Sequence, residues 1–554
     1  MKHKTILRKS ACAMLAASFI LGAGATVYAA DPRPSAGDVL RDSRQTERKL
    51  PERQSPNVTV EQIKPPMATD QSLKVFVKSY QFTGQNLFAQ DELTSLLTTY
   101  TNKDMTMTSL QEAADVITKH FRAKGYFVAQ AYLPQQDITE GNIEIAVIIG
   151  RYGDLILKNK TVVSDSAIRG QLSALTNGDY IQTASVERAT LLAGDMPGVA
   201  IKATLTPGKT AGTSDVVIEA TPKGVEWQSY VSANNYGSRL NGYNKVNLSS
   251  TYSNPFRQGD RLIGNISRSN NSQDTGDIYY QIPVAEGSTL NLSYSKVNYE
   301  LGEEFAGTGY SGTAYTKHVD WTYALRRSRV SNQYIQFGYD HKKLEDINPS
   351  EPDNAISRMV TLGLSGDSSD TLWGGGANSY SIIYYNGSTS SGSPPSGSWN
   401  KTTYSFMRQQ YLDDRLALFV SLSGQRSDSN LDSSEKFSLG GPNGVRAYPV
   451  SEASGDEAYL TTAELRYTVP AAQKGSIWQL SAFYDHGVSN LQKHSLKPDD
   501  NRRSLSGVGI GVQYVKPSDY AIKATYAWRV GNNEPQADTT FGNGHLWLQA
   551  MKYF

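Results

Sequence analysis

From Trp227 to Phe554 apolar and polar residues alternate in segments of about ten residues, separated by Gly, Asn, Ser, Asp and Pro. Tyr520, Ile522, Ala524, Tyr526, Trp528 and Val530 share one face of such a segment, and Lys523, Thr525 and Arg529 share the other. Val508, Ile510, Val512 and Tyr514 likewise oppose Gly507, Gly509, Gly511 and Gln513, and Leu416, Leu418, Val420 and Leu422 repeat the rule. A period of two predicts strands. Either a soluble sandwich or a membrane barrel accepts them, since the apolar faces can meet a second sheet or lipid. Lys, Arg, Glu and Gln on the polar face suit a wet lumen. Residues 225–554, at roughly 20 per strand and loop, allow about sixteen antiparallel strands. In the last one Phe554, Ala550, Leu548 and Leu546 would face lipid, and Lys552 on the same face must snorkel.

Upstream the period changes. Over 71–150, Val75–Thr83 alternates, Asn86–Tyr100 and Ser109–Lys124 carry apolar residues at helical spacing, and Val128–Leu133 and Asn142–Ile149 read as strands. Gly125 stands where a helix C-terminal cap is expected. The order repeats over 151–224, with strand Gly153–Leu157, helices Ser164–Leu175 and Ser185–Ala193, and strands Val199–Leu205 and Asp215–Ala220. Two consecutive modules of one element order are an internal repeat, each large enough for a two-layer α/β core. The expected fold class is α+β modules followed by an all-β region, for which the alternation admits a sandwich and the polar face favours an all-β transmembrane barrel. Before the modules, 49–70 contains Pro51, Pro56, Pro65 and Pro66 and predicts an extended linker. Residues 35–48 predict a helix with Ser35 as N-cap, but only Val39 and Leu40 are strongly apolar, so the pattern alone suggests a solvated terminus.

Residues 1–29 have the form of a signal peptide: Lys2, Lys4, Arg8 and Lys9, then apolar Ala11–Leu21, then small residues suited to cleavage after Ala29. The single cysteine, Cys12, lies inside it, so the mature chain should hold no disulfide, thiol nucleophile or Cys metal site. A net charge of +1 gives no electrostatic case for nucleic acid. After the leader no run approaches ~18 apolar residues, which excludes a membrane helix. The 33 Tyr and 47 Gly are compatible with a barrel. No nucleotide loop, metal-binding His cluster or nucleophile elbow appears, so neither cofactor nor metal is expected. Asp485 and His486 are adjacent in a strand and point to opposite faces, which argues against a catalytic pair and against an enzyme.

The candidate chemistry lies in the loop 426–456 and the strand that follows it. Gly440, Gly441 and Gly444 allow sharp turns or close packing immediately before Val445, Arg446, Ala447 and Tyr448. Downstream, Gln479, Ser481, Phe483 and Asp485 share one face while Trp478, Leu480, Ala482 and Tyr484 share the other, so Asp485 belongs inside.

Glu435, Phe437, Leu439, Gly440, Gly441, Val445, Arg446 and Tyr448 resemble the V-R-G-Y loop of the two-partner secretion outer-membrane transporters, the haemolysin secretion/activation type within the Omp85 superfamily. Gly455, Asp456, Glu464, Leu465 and Arg466 resemble its next strand, Phe483, Asp485 and Gly487 its F-x-D-x-G motif, and Asn254, Pro255, Phe256, Gly259 and Asp260 its first barrel hairpin. Gly125, Tyr126, Ala131, Tyr132, Leu133, Pro134, Gln136 and the strand Asn142–Gly150 resemble a first POTRA domain; Pro207, Gly208, Gly212, Ser214, Asp215 and Val216 resemble the end of a second. The resemblance implies periplasmic POTRA modules at 71–150 and 151–224, which recognise an unfolded passenger by strand addition at a sheet edge. It implies export of a large secreted exoprotein through a barrel embedded in outer-membrane lipid. It further implies that the loop folds inward, that Arg446 pairs with Asp485, and that a helix within 30–48 occupies the pore at rest. The alternative is an outer-membrane protein assembly factor of the same superfamily. The sequence departs from the family at Ala447, usually Gly, which leaves either an ordinary backbone or a strained one.

Overall fold

The computed structural model describes residues 33–44, 50, 57–60, 74–137, 140–348, 353–391, 395–469 and 475–554. The leader expected at 1–29 and most of the linker expected at 49–70 lie outside them. The first helix, α1 (Ala36–Ser43), begins with a Ser35/Asp38 capping box, in which the Ser35 side chain accepts from the Asp38 N–H and the Asp38 carboxylate accepts from the Ser35 N–H. Strand β1 (Asn57–Val60), within the linker, was not expected.

In the first module the strand expected at Val75–Thr83 is two strands, β2 (Lys74–Val77) and β3 (Ser79–Thr83), which join different sheets. The break is at Lys78, whose N–H leaves the ladder for the Gly141 carbonyl. Helix α2 (Gln90–Ser95) covers only the middle of Asn86–Tyr100, because the Gln85 side chain accepts from the Leu87 and Phe88 N–H groups and holds them in a turn. An unforeseen strand, β4 (Lys103–Thr106), pairs with β2. Helix α3 (Met107–Ala123) follows, and Gly125 beyond it takes φ +97°, the left-handed conformation expected of a helix stop. Strands β5 (Gln130–Tyr132) and β6 (Asn142–Ile148) complete a sheet in the order β3-β6-β5, closed over a core that includes Phe82, Leu110, Ile117, Phe121 and Ile145.

The second module keeps the expected order: β7 (Arg151–Asn159), α4 (Asp165–Gln171), α5 (Thr183–Gly194), β8 (Val199–Pro207) and β9 (Thr213–Pro222). Its core gathers Ile168, Leu172, Val186, Leu205 and Ile218. Strand β1 adds to this sheet in parallel along β8, giving the order β1-β8-β9-β7.

Sixteen further strands follow. They are β10 (Trp227–Asn234), β11 (Lys245–Ser253), β12 (Arg261–Ser269), β13 (Asp274–Ala285), β14 (Ser288–Glu300), β15 (Ser311–Arg327), β16 (Ser331–Ile347) and β17 (Asp353–Asp370). Then come β18 (Gly376–Ser391), β19 (Gly397–Tyr411), β20 (Leu416–Ser427), β21 (Glu457–Val469), β22 (Ile477–Asn490), β23 (Arg502–Lys516), β24 (Tyr520–Arg529) and β25 (Gly544–Tyr553). Each pairs antiparallel with the next, and β25 pairs with β10 to close the barrel. The outward face carries Val420, Leu480, Ile510 and Leu548, all exposed, and the inward face buries Ser421, Asp485, Thr525 and Trp547. Lys552 shares the outward face, as its parity requires, and its ammonium reaches Asp519 in the turn between β23 and β24. It thus leaves the apolar band at the barrel rim.

The second module sits at the end of the barrel where β10 begins. Arg327, at the close of β15, donates two hydrogen bonds of 2.7 Å to the Asp195 carboxylate. Gln171 bonds the Ala285 carbonyl and the Gly287 N–H in the β13–β14 turn. The long connection from β20 to β21 leaves from the opposite end and turns back inside. Helix α1 also lies inside, with Ala36, Val39 and Leu40 packed on Val297, Tyr299, Ala314 and Leu344 from the inner wall. The solvated terminus suggested by its sparse apolar residues is therefore overturned; a narrow stripe suffices because the wall wraps it.

Candidate functional site

Glycines decide the path of the inward loop. A Cβ at Gly440 would stand 2.1 Å from the Pro449 carbonyl oxygen, and one at Gly444 would stand 2.1 Å from that of Leu439. Gly441 takes φ +104°, which a side chain would oppose. This tight turn buries Leu439, Val445, Ala447 and Tyr448 against Leu460, Phe483 and Leu505 of the wall. The Tyr448 hydroxyl donates to the Asn533 carbonyl at 3.0 Å. Ala447 is absent from the positive-φ residues, so its departure from glycine carries no backbone strain. Its methyl instead fills the space over Gly507 of β23, where a Cβ would lie 2.6 Å away.

That packing delivers Arg446 to β22 and β21. Its Nε and Nη2 donate to the two Asp485 oxygens at 2.8 and 2.9 Å, a bidentate fork, and its backbone N–H adds a bond of 3.2 Å to Oδ2. Its Nη1 donates to Glu464 Oε2 at 2.7 Å, while Arg466 holds Oε1 of the same carboxylate at 2.8 Å. The guanidinium lies 3.2 Å from the centroid of Phe483, a cation–π contact, and Thr462 donates to Asp485 at 2.9 Å. The Arg446 carbonyl accepts from the Trp547 indole at 2.7 Å. Asp485 and Phe483 share a face as strand parity requires, and His486 faces outward beside Ser506 and Tyr484.

Sequence reasoning placed Glu464 in a matching strand without a role, and passed over Thr462 and Trp547. Alternation alone could have flagged Glu464, a carboxylate on the same inward face as Arg466. Other buried carboxylates fasten the arms of the loop. Glu435 receives Lys342 of β16 and, at 2.9 Å, Lys401 of β19. Glu452 accepts from the Gln536 and Ala537 N–H groups at 2.9 and 2.8 Å and from Arg503 at 2.7 Å, which ties the loop to the β24–β25 connection. Asp456 accepts from the Leu431 and Lys493 N–H groups at 3.1 and 2.8 Å.

The loop also holds α1. The Ser35 and Ser433 hydroxyls are 2.7 Å apart, Arg41 donates to the Ser433 carbonyl at 3.2 Å and to the Ser451 hydroxyl at 3.1 Å, and Ser451 donates to Asp42. Gly37 permits this approach, since a Cβ there would stand 2.2 Å from the Ser433 hydroxyl. At its start, α1 is held by Asp346 of β16, which accepts the Ala36 N–H at 2.7 Å. Beside the loop tip a cavity of about 530 Å³ is lined by Arg446, Glu464, Arg466, Gln479, Lys523 and Thr525. Among the described residues no group of three or more His, Cys, Asp or Glu is placed to hold a metal ion.

Comparison with known proteins gives a consistent picture. The model of the haemolysin secretion/activation protein family ShlB/FhaC/HecB matches residues 212–514, and that of the ShlB-type POTRA domain matches residues 75–150. The heme/hemopexin transporter protein HuxB of Haemophilus influenzae is 26% identical over 505 residues, 87% of this chain and 88% of that protein. The outer membrane transporter CdiB of Dickeya dadantii is 22% identical over 510 residues, 86% of each. Among solved structures, CdiB from Escherichia coli superposes with a TM-score of 0.73 at 18% identity, covering 89% of this chain and 93% of that one. BamA from Haemophilus ducreyi, lacking POTRA domains 1–3, shares the fold at a TM-score of 0.52 and 15% identity, covering 87% of this chain and all of that one.

Proposed function

Since the chain belongs to the ShlB/FhaC/HecB family of haemolysin secretion/activation proteins, we propose that its inward loop and helix α1 together close the barrel and that the passenger's arrival opens it. The protein is an outer-membrane transporter that secretes a large partner exoprotein, with its POTRA modules in the periplasm. The assembly-factor alternative gives way to the family match. The observation that supports the closure is that α1 and the loop lie inside the barrel, held by polar contacts to each other and to the wall and by a few apolar side chains packed on it, with no strand of either joining the barrel sheet. Such contacts can be exchanged for water or for a passing polypeptide, whereas a strand in the ladder could not leave without breaking the wall.

In this reading the Arg446 fork on Asp485 positions the loop, and α1 is the removable part. An unfolded exoprotein pairs with a POTRA sheet edge in the periplasm, α1 withdraws along its linker, and the loop shifts to line a path outward. No bond of the passenger is made or broken, and folding of the exported chain outside biases its motion. The test is release of a neighbouring exoprotein's N-terminal secretion fragment into the medium, with intact protein and Arg446→Ala at matched membrane levels. Export by the intact chain and its loss in the variant is the expected outcome; equal export by both removes the loop from the mechanism.

A further inference from the structure

The outward wall of β14–β17 changes character toward its extracellular end. Rising from the periplasmic end, its lipid-facing positions are apolar or aromatic: Leu292 and Tyr294 on β14, Trp321 and Val319 on β15, and comparable residues on β16 and β17, all exposed. The next outward residue is basic in each case: Lys296 after Tyr294, Lys317 after Val319, His341 after Tyr339 and Arg358 after Val360. The strand register makes this one surface. Lys317 pairs across to His341 and His341 to Arg358, while in the neighbouring row Lys296 and Lys343 flank Tyr315. The run from Leu325 up to Lys317, at ~3.3 Å per residue and ~40° tilt, stands about 20 Å tall, close to the ~25 Å apolar band of outer-membrane barrels. The cations therefore meet the headgroups of the outer leaflet.

These charges are not spent within the protein. Lys317, Lys343 and Arg358 are exposed. Among the described residues Lys317 and Arg358 have no ion-pair partner, Lys296 lies 5.3 Å from the Tyr315 ring, and only Lys343 meets an acid, Glu345. The nearby Asp274 of β13 is opposed by Arg268. By contrast the outward residues of β22 toward the same end, Tyr484, His486 and Val488, include no Lys or Arg. Isolated outward arginines also occur toward this end, Arg426 on β20 and Arg502 on β23, but only β14–β17 bring basic residues together on four adjacent strands above apolar or aromatic ones, which matches an amphiphile with anionic groups at the base of a sugar headgroup and several acyl chains below.

The geometry points to a binding site for the phosphorylated glycolipid of the outer leaflet, lipid A, on the outer wall of β14–β17, with Lys317 and Arg358 on its phosphates, Lys296 and Lys343 around them, and the acyl chains along Tyr294, Val319, Trp321 and Val360. The test uses the full chain in detergent, with bisphosphorylated lipid A, dephosphorylated lipid A and phosphatidylglycerol as separate probes, and bound lipid counted by native mass spectrometry. The intact chain should retain bisphosphorylated lipid A at least tenfold more than Lys296→Gln/Lys317→Gln/Lys343→Gln/Arg358→Gln, and should bind the dephosphorylated form no better than the variant does. Equal retention by the variant, equal binding of dephosphorylated lipid A, or equal binding of phosphatidylglycerol overturns the site. Heat-modifiable migration checks that the variant barrel is folded; should the fourfold variant fail it, Lys317→Gln/Arg358→Gln decides by the same comparison.

Discussion

At the scale of single residues, Arg446 is the group whose loss leaves the most uncompensated. It satisfies both Asp485 oxygens and one Glu464 oxygen in a buried setting, so Arg446→Ala leaves the Asp485 charge with only the Thr462 hydroxyl and a backbone N–H, and Glu464 with Arg466 alone, and should cost about 3–5 kcal/mol locally, less where cavity water reaches them. The barrel ladder does not depend on it, so the variant should insert while exporting at least tenfold less. Arg446→Lys keeps the charge without the fork and should export at an intermediate level; parity with the intact chain would show that charge alone suffices. A second prediction tests the seat of the loop tip. Gly507→Ala puts a methyl 2.6 Å from that of Ala447, two groups with no rotamer to escape into, and should impair export. Ala447→Gly added to it clears the clash and should restore export; a double variant as defective as Gly507→Ala would place the defect elsewhere. Glycines announced a turn before Arg446 and strand parity announced that Asp485 points inward, but that the two pair was implied only by the family resemblance. The roles of Glu464, Thr462 and Trp547 were not legible, since their convergence depends on the register of β21, β22 and β25, which no local pattern encodes.

At the scale of elements, the barrel strands were legible because a lipid-facing wall imposes a period of two on every strand, and the modules because each buries a helical face of ordinary width. What escaped were elements whose partners lie far away in sequence. β4 and the split of β2 from β3 follow from a ladder between residues that short-range alternation cannot register. β1 carries no signature at all, because four residues add to β8 through backbone hydrogen bonds. That pairing has a consequence for recognition: a passenger strand that adds to β8 must first displace β1, a competitor tethered at an effective concentration of order mM. Val58→Pro/Thr59→Pro removes whichever of these two N–H groups faces β8, since consecutive strand residues point to opposite edges, and removes none from β8. The full chain in detergent should then bind a labelled exoprotein N-terminal fragment roughly tenfold more tightly by fluorescence anisotropy. Unchanged affinity would assign the passenger to another edge, such as β5 of the first module.

At the scale of the whole molecule, the proposed closure rests on two elements that hold each other. α1 has eight residues, too few to persist as a helix in water, so it exists as a helix because the wall covers Val39 and Leu40 and the loop meets its polar side. Leaving the lumen therefore unfolds it, and resting and open states should differ as two populations rather than along a continuum. The Ser35–Ser433 contact allows that coupling to be fixed at will. The hydroxyl oxygens are 2.7 Å apart, a spacing from which two sulfurs reach ~2.05 Å with a small adjustment. The only native cysteine, Cys12, lies within the segment expected to be removed, so Ser35→Cys/Ser433→Cys should form one defined bridge in the oxidising periplasm. Oxidised, this variant should stop export while remaining a folded barrel, and a membrane-permeant reductant should restore it within the same cells; either single Cys variant should export throughout. In planar bilayers the oxidised double variant should stay closed and open on reduction, since the bridge bars α1 from leaving while every barrel strand is untouched. Full export with the bridge quantitatively formed would mean that the passenger passes α1 in place, and the closure would then rest on the loop alone.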